Sequence, residues 1–117
     1  MKIELAKTEV IHFVGIGGIG MSGLSLIMHG KGFSIQGSDI SLGKNIERLK
    51  KEKIKIFIGQ KKQNLRDATI VVISSAIKNN NPELIEAKKK KIPIISRGKM
   101  LAHIVSLIKN IVVTGSH

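Results

Sequence analysis

The chain contains no cysteine, tryptophan or tyrosine, and its 117 residues include only three phenylalanines and two prolines. Without cysteine there can be no disulfide, no thiolate metal site and no cysteine nucleophile. That absence fits a reducing compartment. Phenylalanine is the only aromatic residue, and two of the three sit in apolar, strand-like runs. The exposed aromatic platforms that single-strand nucleic-acid binders use are therefore lacking. No apolar run approaches the ~18 residues of a membrane-spanning helix. After Lys2 the N-terminus alternates charged and apolar residues, without the apolar segment and small-residue cleavage pattern of a secretory signal. A cytoplasmic chain with no membrane contact is expected.

Acidic residues are scarce too, 8 against 20 basic ones, for a formal charge of +12. Such a charge suggests nucleic acid as a partner, but its distribution argues against one. The lysines come in short groups: Lys50, Lys51, Lys53 and Lys55; Lys61 and Lys62; Lys88 to Lys91. The joint richness in Ile, Lys and Asn is the bias of an AT-rich genome, with lysine filling solvated positions. No specific nucleic-acid partner is expected. The overall field would instead favour an anionic ligand such as a nucleotide.

What the chain does have is a regular alternation of short β-branched runs and amphipathic stretches. Val10–Val14, Phe33–Gly37, Ile54–Ile58, Thr69–Ile73, Ile92–Ile95 and Ile111–Val113 read as strands. Gly18–Met28 reads as a helix with Ile19, Leu24, Ile27 and Met28 on its apolar side, and Asn45–Lys53 as a short solvated one. Asn81 is a good cap, Pro82 suits the first helical position, and Glu83 and Glu86 favour the start of a third helix. Lys88–Lys91 then fall at its carbonyl end. A last helix carries Met100, Leu101, Ile104, Val105 and Ile108. The polar stretch Gly59–Asp67 has no clear helix. This alternation predicts a single α/β domain, a Rossmann-like open parallel sheet with helices on both faces.

The strongest motif is Gly15-Ile16-Gly17-Gly18-Ile19-Gly20-Met21-Ser22-Gly23, which holds G-x-G-x-x-G at Gly15, Gly17 and Gly20, after a strand and opening a helix. The first glycine permits the turn, the second lets the backbone approach phosphate oxygens, and the third lets helix and strand pack closely. The helix N-terminus then offers free N–H groups to a pyrophosphate. A plain turn would need one or two glycines, not five in nine positions. Asp39 follows the second strand about 20 residues on, where an acid would bond a ribose diol. An aspartate there also suits a turn or cap. Residue chemistry points to a nucleotide with a pyrophosphate and leaves the base open.

These residues resemble a known family. Ile11 to Gly23, then Gly37-Ser38-Asp39, Val72-Ile73-Ser74-Ser75-Ala76-Ile77, and Pro93-Ile94-Ile95-Ser96-Arg97 with Met100-Leu101 stand in the order seen in the Mur ligase family. They resemble above all its first amino-acid-adding members. The ending Val113-Thr114-Gly115-Ser116-His117 is similar to the start of that family's ATP-binding loop. The resemblance implies that residues 1–113 bind UDP-N-acetylmuramate and that residues 114–117 begin the loop of a central domain not contained in the chain. Gly15, Gly17, Gly18, Ile19, Gly20, Met21 and Ser22 would hold the pyrophosphate, and Asp39 the ribose or uracil. Ser74, Ser75 and Ala76 would line the sugar-nucleotide crevice, and Arg97 would approach a phosphate or the muramoyl carboxylate. Gly115, Ser116 and His117 would open the ATP loop.

ATP, Mg2+ and L-alanine would belong to the full-length enzyme, which activates the muramoyl carboxylate as an acyl phosphate. This chain alone would carry no catalytic residue, cofactor or metal and would be monomeric. One departure is Gly59-Gln60, where the family often has Gly-His; Gln can still bond a uracil edge. The alternative, an NAD(P)-binding domain of a dehydrogenase or transport regulator, shares the glycine loop and the acid. It leaves Ser74-Ser75-Ala76-Ile77 and the Thr114–His117 ending unexplained. His12 reads as a packed core histidine, His29 as a helix-end residue and His103 as solvated. No His, Asp and Glu set has metal-ligand spacing.

Overall fold

A computed structural model describes the backbone of residues 5–115 and the side chains of residues 5–108. Strands and helices alternate along it: β1 (Val10–Val14), α1 (Ile19–Gly30), β2 (Ser34–Asp39), α2 (Lys44–Lys51), β3 (Lys55–Ile58), one 3-10 turn (Lys62–Leu65), β4 (Ile70–Ile73), α3 (Pro82–Lys89), β5 (Ile94–Ser96) and α4 (Arg97–Gly115). The five strands form one parallel sheet in the order β3-β2-β1-β4-β5. The chain leaves β1 toward one edge and returns at β4 to build the other. A crevice therefore opens between β1 and β4 at the carboxyl ends of the strands, where such sheets bind ligands.

Side chains alternate across each strand, so the sheet has two distinct faces. Ile11 and Phe13 of β1, Ile35 of β2, Ile70 and Val72 of β4 and Ile95 of β5 share one apolar cluster with Met21, Leu24 and Met28 of α1, Ile46 and Leu49 of α2, and Met100 and Ile104 of α4. On the opposite face Val14 and Val71 pack with Leu65, Ala68 and Ala87, a much smaller cluster. Ile73, Ile77, Ile92 and Ile94 pack partly buried against that cluster, and beside it lies a polar region in which His12, Gln36, Ser38, Asn64 and Glu83 are all buried.

The elements follow from local chemistry. In α3, Asn81 accepts from Glu83 N and Leu84 N, and Pro82 occupies the first turn where its missing N–H costs nothing. Lys88 and Lys89 lie in the last turn. Four expectations need correction. Ile111–Val113 is not a strand, because α4 continues through Gly115. The described sheet ends at β5, and without a neighbouring strand a β-branched run gains one hydrogen bond per residue by extending the helix. Ile19 and Ile27 do not face the core, being 91% and 45% exposed; Met21 takes that role beside Leu24 and Met28. Among the described side chains of α4 only Met100 and Ile104 are buried, and Leu101, Val105 and Ile108 are exposed. His12 is fully buried, and His103 is half-buried rather than solvated. The Gly59–Asp67 connection contains the 3-10 turn Lys62–Leu65.

Candidate functional site

A cleft of about 890 Å³ lies at the switch point. Gly15, Gly17 and Gly18 form one wall, Asp39, Lys44, Asn45 and Ile46 the next, and Gln60, Asn81 and Pro82 the outer end; Ser74, Ala76, Ile77 and Lys78 close the β4 side. Residues far apart in sequence are thus gathered by the carboxyl ends of β1, β2, β3 and β4.

The glycine loop is held from below. Gly15 N and Ile16 N both donate to Ser38 O at 2.9 Å. Gly15 has φ +75°, a left-handed conformation that a side chain would disfavour. Asp39 Oδ2 accepts from Gly17 N at 2.8 Å, and Asn45 Nδ2 donates to Gly17 O at 2.9 Å. A β-carbon on Gly17 would lie 2.7 Å from Asp39 Oδ2 and 3.0 Å from Ile46 Cδ1. The second glycine is therefore required by the protein's own packing as well as by any phosphate.

The start of α1 has no capping side chain. Ser22 N is the first amide bonded back, to Gly18 O at 2.8 Å. The N–H groups of Ile19, Gly20 and Met21 have no partner among the described residues. These three orphan donors sit at the positive end of the helix dipole. Arg97 lies beside them: a β-carbon on Gly20 would meet Arg97 Cδ and Nε at 2.9 Å. The guanidinium adds charge where the amides offer hydrogen bonds.

Not every expected residue faces the cleft with its side chain. Met21 and Ser22 are buried, so any role in anion binding runs through the backbone. Ser75 is exposed and does not line the cleft, whereas Ser74 and Ala76 do. Asp39 Oδ1 accepts from Ile40 N at 2.8 Å and Ser41 N at 3.4 Å, so this carboxylate already organises two loops. Gly115 ends α4, and Ser116 and His117 lie outside the described residues. Lys44, Asn45, Lys78 and Asn81 line the cleft without having been singled out for a ligand. In the sequence Asn81 reads as a helix cap and Asn45 as the start of a helix, while Lys44 and Lys78 give no signal of their own.

Behind the outer wall lies a buried polar network. His12 Nε2 is 2.6 Å from Glu83 Oε1, with both side chains fully buried. Gln36 Nε2 reaches His12 Nδ1 at 2.8 Å and Asn64 O at 3.0 Å. Both amide protons are thereby used, so Nδ1 accepts and Nε2 carries the ring proton given to Glu83. Glu83 also receives Ser38 Oγ at 2.7 Å, Asn64 Nδ2 at 2.7 Å and Lys61 N at 3.2 Å. Burial alone would raise this carboxyl's pKa, but the hydrogen bonds from His12, Ser38 and Asn64 outweigh it and hold the group below its ordinary range. Among the described residues no buried side-chain N or O is left without a partner.

The family model described as Mur ligase family, catalytic domain, matches residues 10–109. The chain belongs to the Mur ligase family. It is 76% identical over 117 residues to a UDP-N-acetylmuramate–L-alanine ligase of Pelagibacter ubique, covering 100% of this chain and 25% of that protein. A Rickettsia prowazekii protein of the same name is 51% identical over 119 residues, with 98% and 24% covered. The crystal structure of a UDP-N-acetylmuramate–alanine ligase from Thermotoga maritima superposes with a TM-score of 0.75 at 35% identity, covering 86% of this chain and 23% of that one. The chain thus spans about a quarter of the length of the relatives it matches. The fold expected from the alternating pattern, a Rossmann-like parallel α/β sheet, is the one this chain has. Among the described residues no group of three His, Asp or Glu is placed to hold a metal, and no helix is long and apolar enough to cross a membrane.

Proposed function

We propose that this chain is the UDP-sugar-binding domain of a cytoplasmic ligase that joins L-alanine to UDP-N-acetylmuramate. The observation that carries the reading is the start of α1. Among the described residues, three unpaired amides, from Ile19, Gly20 and Met21, stand beside Arg97 and directly follow Gly15, Gly17 and Gly18, which line a cleft large enough for a nucleotide, although these three residues and Arg97 do not line it themselves. A pyrophosphate is the anion such a loop suits. Lys44 and Lys78 at the cleft add to the field that draws it in. From a pyrophosphate on the β1 loop, the nucleoside would extend toward β2 and β3, past Asp39. The muramoyl arm would extend toward Ser74 and Ala76.

ATP and Mg2+ are what such a ligase uses to activate a carboxylate. Residues 114–117 are proposed as the start of the ATP-binding loop. Thr114 and Gly115 form the last turn of α4, and the described residues offer no triad of metal ligands. No catalytic step is therefore assigned to them. This chain's own part is to bind and orient the sugar nucleotide. Titration calorimetry with UDP-N-acetylmuramate, NAD and ATP tests the reading. The UDP-sugar is expected to bind far more tightly than the other two. Equal or tighter binding of NAD would overturn it in favour of a nicotinamide-nucleotide domain.

A further inference from the structure

A second cavity, of about 510 Å³, lies on the His12 face of the sheet beside β3 and shares no lining residue with the cleft at the switch point. β2 and β3 contribute Gln36, Lys55 and Phe57 to it, and the 3-10 turn contributes Asn64. Its inner end is made of acceptors. Gln36 and Asn64 are only 6% and 8% exposed. Gln36 Nε2 uses both its protons, on His12 Nδ1 and Asn64 O; Asn64 Nδ2 uses both of its own, on Gly59 O and Glu83 Oε2. A carbonyl or carboxylate oxygen can only accept, so neither amide can be turned end for end. Oε1 of Gln36 and Oδ1 of Asn64 are left without a partner among the described residues. No fully buried side-chain N or O lacks a partner there, so both oxygens open onto accessible space, and the cavity is the space that both side chains line.

The Glu83 carboxylate behind these oxygens strengthens them. It receives the Asn64 amide directly and the Gln36 amide through His12, and a group that donates to a carboxylate becomes a better acceptor at its other end. With His12 neutral, the buried network carries one net negative charge. The rim has the opposite sign: Lys55, Lys62, Arg66 and Lys90 stand against Asp67 and Glu86. Lys90 pairs with Glu86 at 3.4 Å, and Lys55 Nζ lies 4.9 Å from the centroid of the Phe57 ring. Lys62 and Arg66 are exposed and have no ion pair among the described residues.

We propose that this cavity binds a short acidic peptide by its free amino terminus, with the ammonium donating to Gln36 Oε1 and Asn64 Oδ1 and the carboxylates facing Lys62 and Arg66. An ammonium has three donors and no acceptor, which suits two fixed oxygens backed by a negative network. A phosphate or carboxylate at that end would set acceptor against acceptor, and an uncharged amino group would leave the charge of the network unanswered. The volume lies within the range of small-ligand sites, and the Phe57 ring gives the first side chain an apolar flank.

The test is an NMR titration of the chain with the dipeptide aspartyl-glutamate and with N-acetyl-aspartyl-glutamate, which lacks the ammonium. The signals read are the side-chain NH2 groups of Gln36 and Asn64. Aspartyl-glutamate is expected to shift both along one saturating curve. The acetylated peptide is expected to bind roughly tenfold or more weakly, the factor for buried acceptors that lose a charged donor. Lys62→Ala and Arg66→Ala together leave the buried network intact, since both side chains are exposed. They are expected to weaken aspartyl-glutamate by about tenfold, as the loss of two charge-assisted contacts at the rim. Saturating UDP-N-acetylmuramate should leave the peptide's affinity unchanged, because the two cavities have no lining residue in common. Unmoved Gln36 and Asn64 signals overturn the proposal. So does equal affinity for the acetylated peptide, or a folded double variant that binds as tightly as the parent. Displacement of the peptide by the UDP-sugar also overturns it and leaves the nucleotide cleft standing.

Discussion

On the face of the sheet that carries Ile11 and Phe13, burial is achieved with hydrocarbon from α1, α2 and α4. On the face that carries His12 and Val14, a small apolar cluster is joined by a charged carboxylate, a histidine and three polar side chains, all hydrogen-bonded. The first arrangement is tolerant: its energy scales with area and depends little on direction. The second is exacting, since each donor and acceptor needs its partner at a set angle. Such a network is suited to fixing the position of a surface. The polar face backs Gln60 and Asn81 at the outer end of the cleft, and the apolar face backs Gly17 through Ile46.

Mutations should expose that difference. Glu83→Ala removes the acceptor of four hydrogen bonds and strands buried donors. We expect a loss of about 3–5 kcal/mol in urea unfolding, since several buried donors lose their acceptor at roughly 1–3 kcal/mol each. A loss below about 1 kcal/mol would show that water replaces the network without cost. Met28→Ala, on the apolar face, should cost about 2–5 kcal/mol through transfer and cavity terms. Its cost should be the same at pH 7 and at mildly acidic pH, unlike that of the polar face.

Gly17→Val crowds Asp39 and Ile46. It is expected to abolish UDP-sugar binding and to cost about 1–3 kcal/mol of stability, the usual penalty for overpacking. Unchanged affinity in a folded variant would show that the loop is only a turn. The pH effect comes next. Glu83 has its folded pKa below the ordinary 4.5, so its contribution is complete above that value and is lost as pH falls through the folded pKa. Acid titration of unfolding should show this loss in the parent chain and lack that component in Glu83→Gln. The smallest effect is expected for Lys90→Ala. Its pair with Glu86 at 3.4 Å is nearly half exposed at the lysine, and such pairs contribute about 0–1 kcal/mol.

The apolar face was the more legible of the two in the sequence. Runs such as Val10–Val14 and Thr69–Ile73 announce strands because both faces of a parallel sheet are covered. Asn81-Pro82-Glu83 announces the start of α3 because each residue suits its place. The glycine loop and Asp39 are recognisable because their chemistry is local, within 22 residues. The pairing of His12 with Glu83 spans 71 residues, and no local pattern carries it. His12 reads correctly as a packed histidine, but its partner reads only as a helix-dipole acid. The hydrogen bond that Asn81 Nδ2 donates to Gln60 Oε1 at 2.7 Å, across 21 residues, is hidden for the same reason. The misreading of Ile111–Val113 has another cause: β-branched residues follow their neighbours, and no strand lies beside them in the described sheet.

The central place of β1 has a consequence for synthesis. Its first neighbour, β2, emerges soon after it, with Val10 opposite Ser34, but its second, β4, comes much later, with Ile11 opposite Ile70. Glu83 is later still. While the chain is being made, β1, α1, β2 and α2 can already assemble, and α1 and α2 cover the oily side of the young sheet. Apart from Val10 and Val14, the side left bare shows His12, Gln36 and Ser38, which water solvates well. A half-made chain therefore waits for its remaining strands with its polar side outward, the arrangement least inclined to stick to other nascent chains.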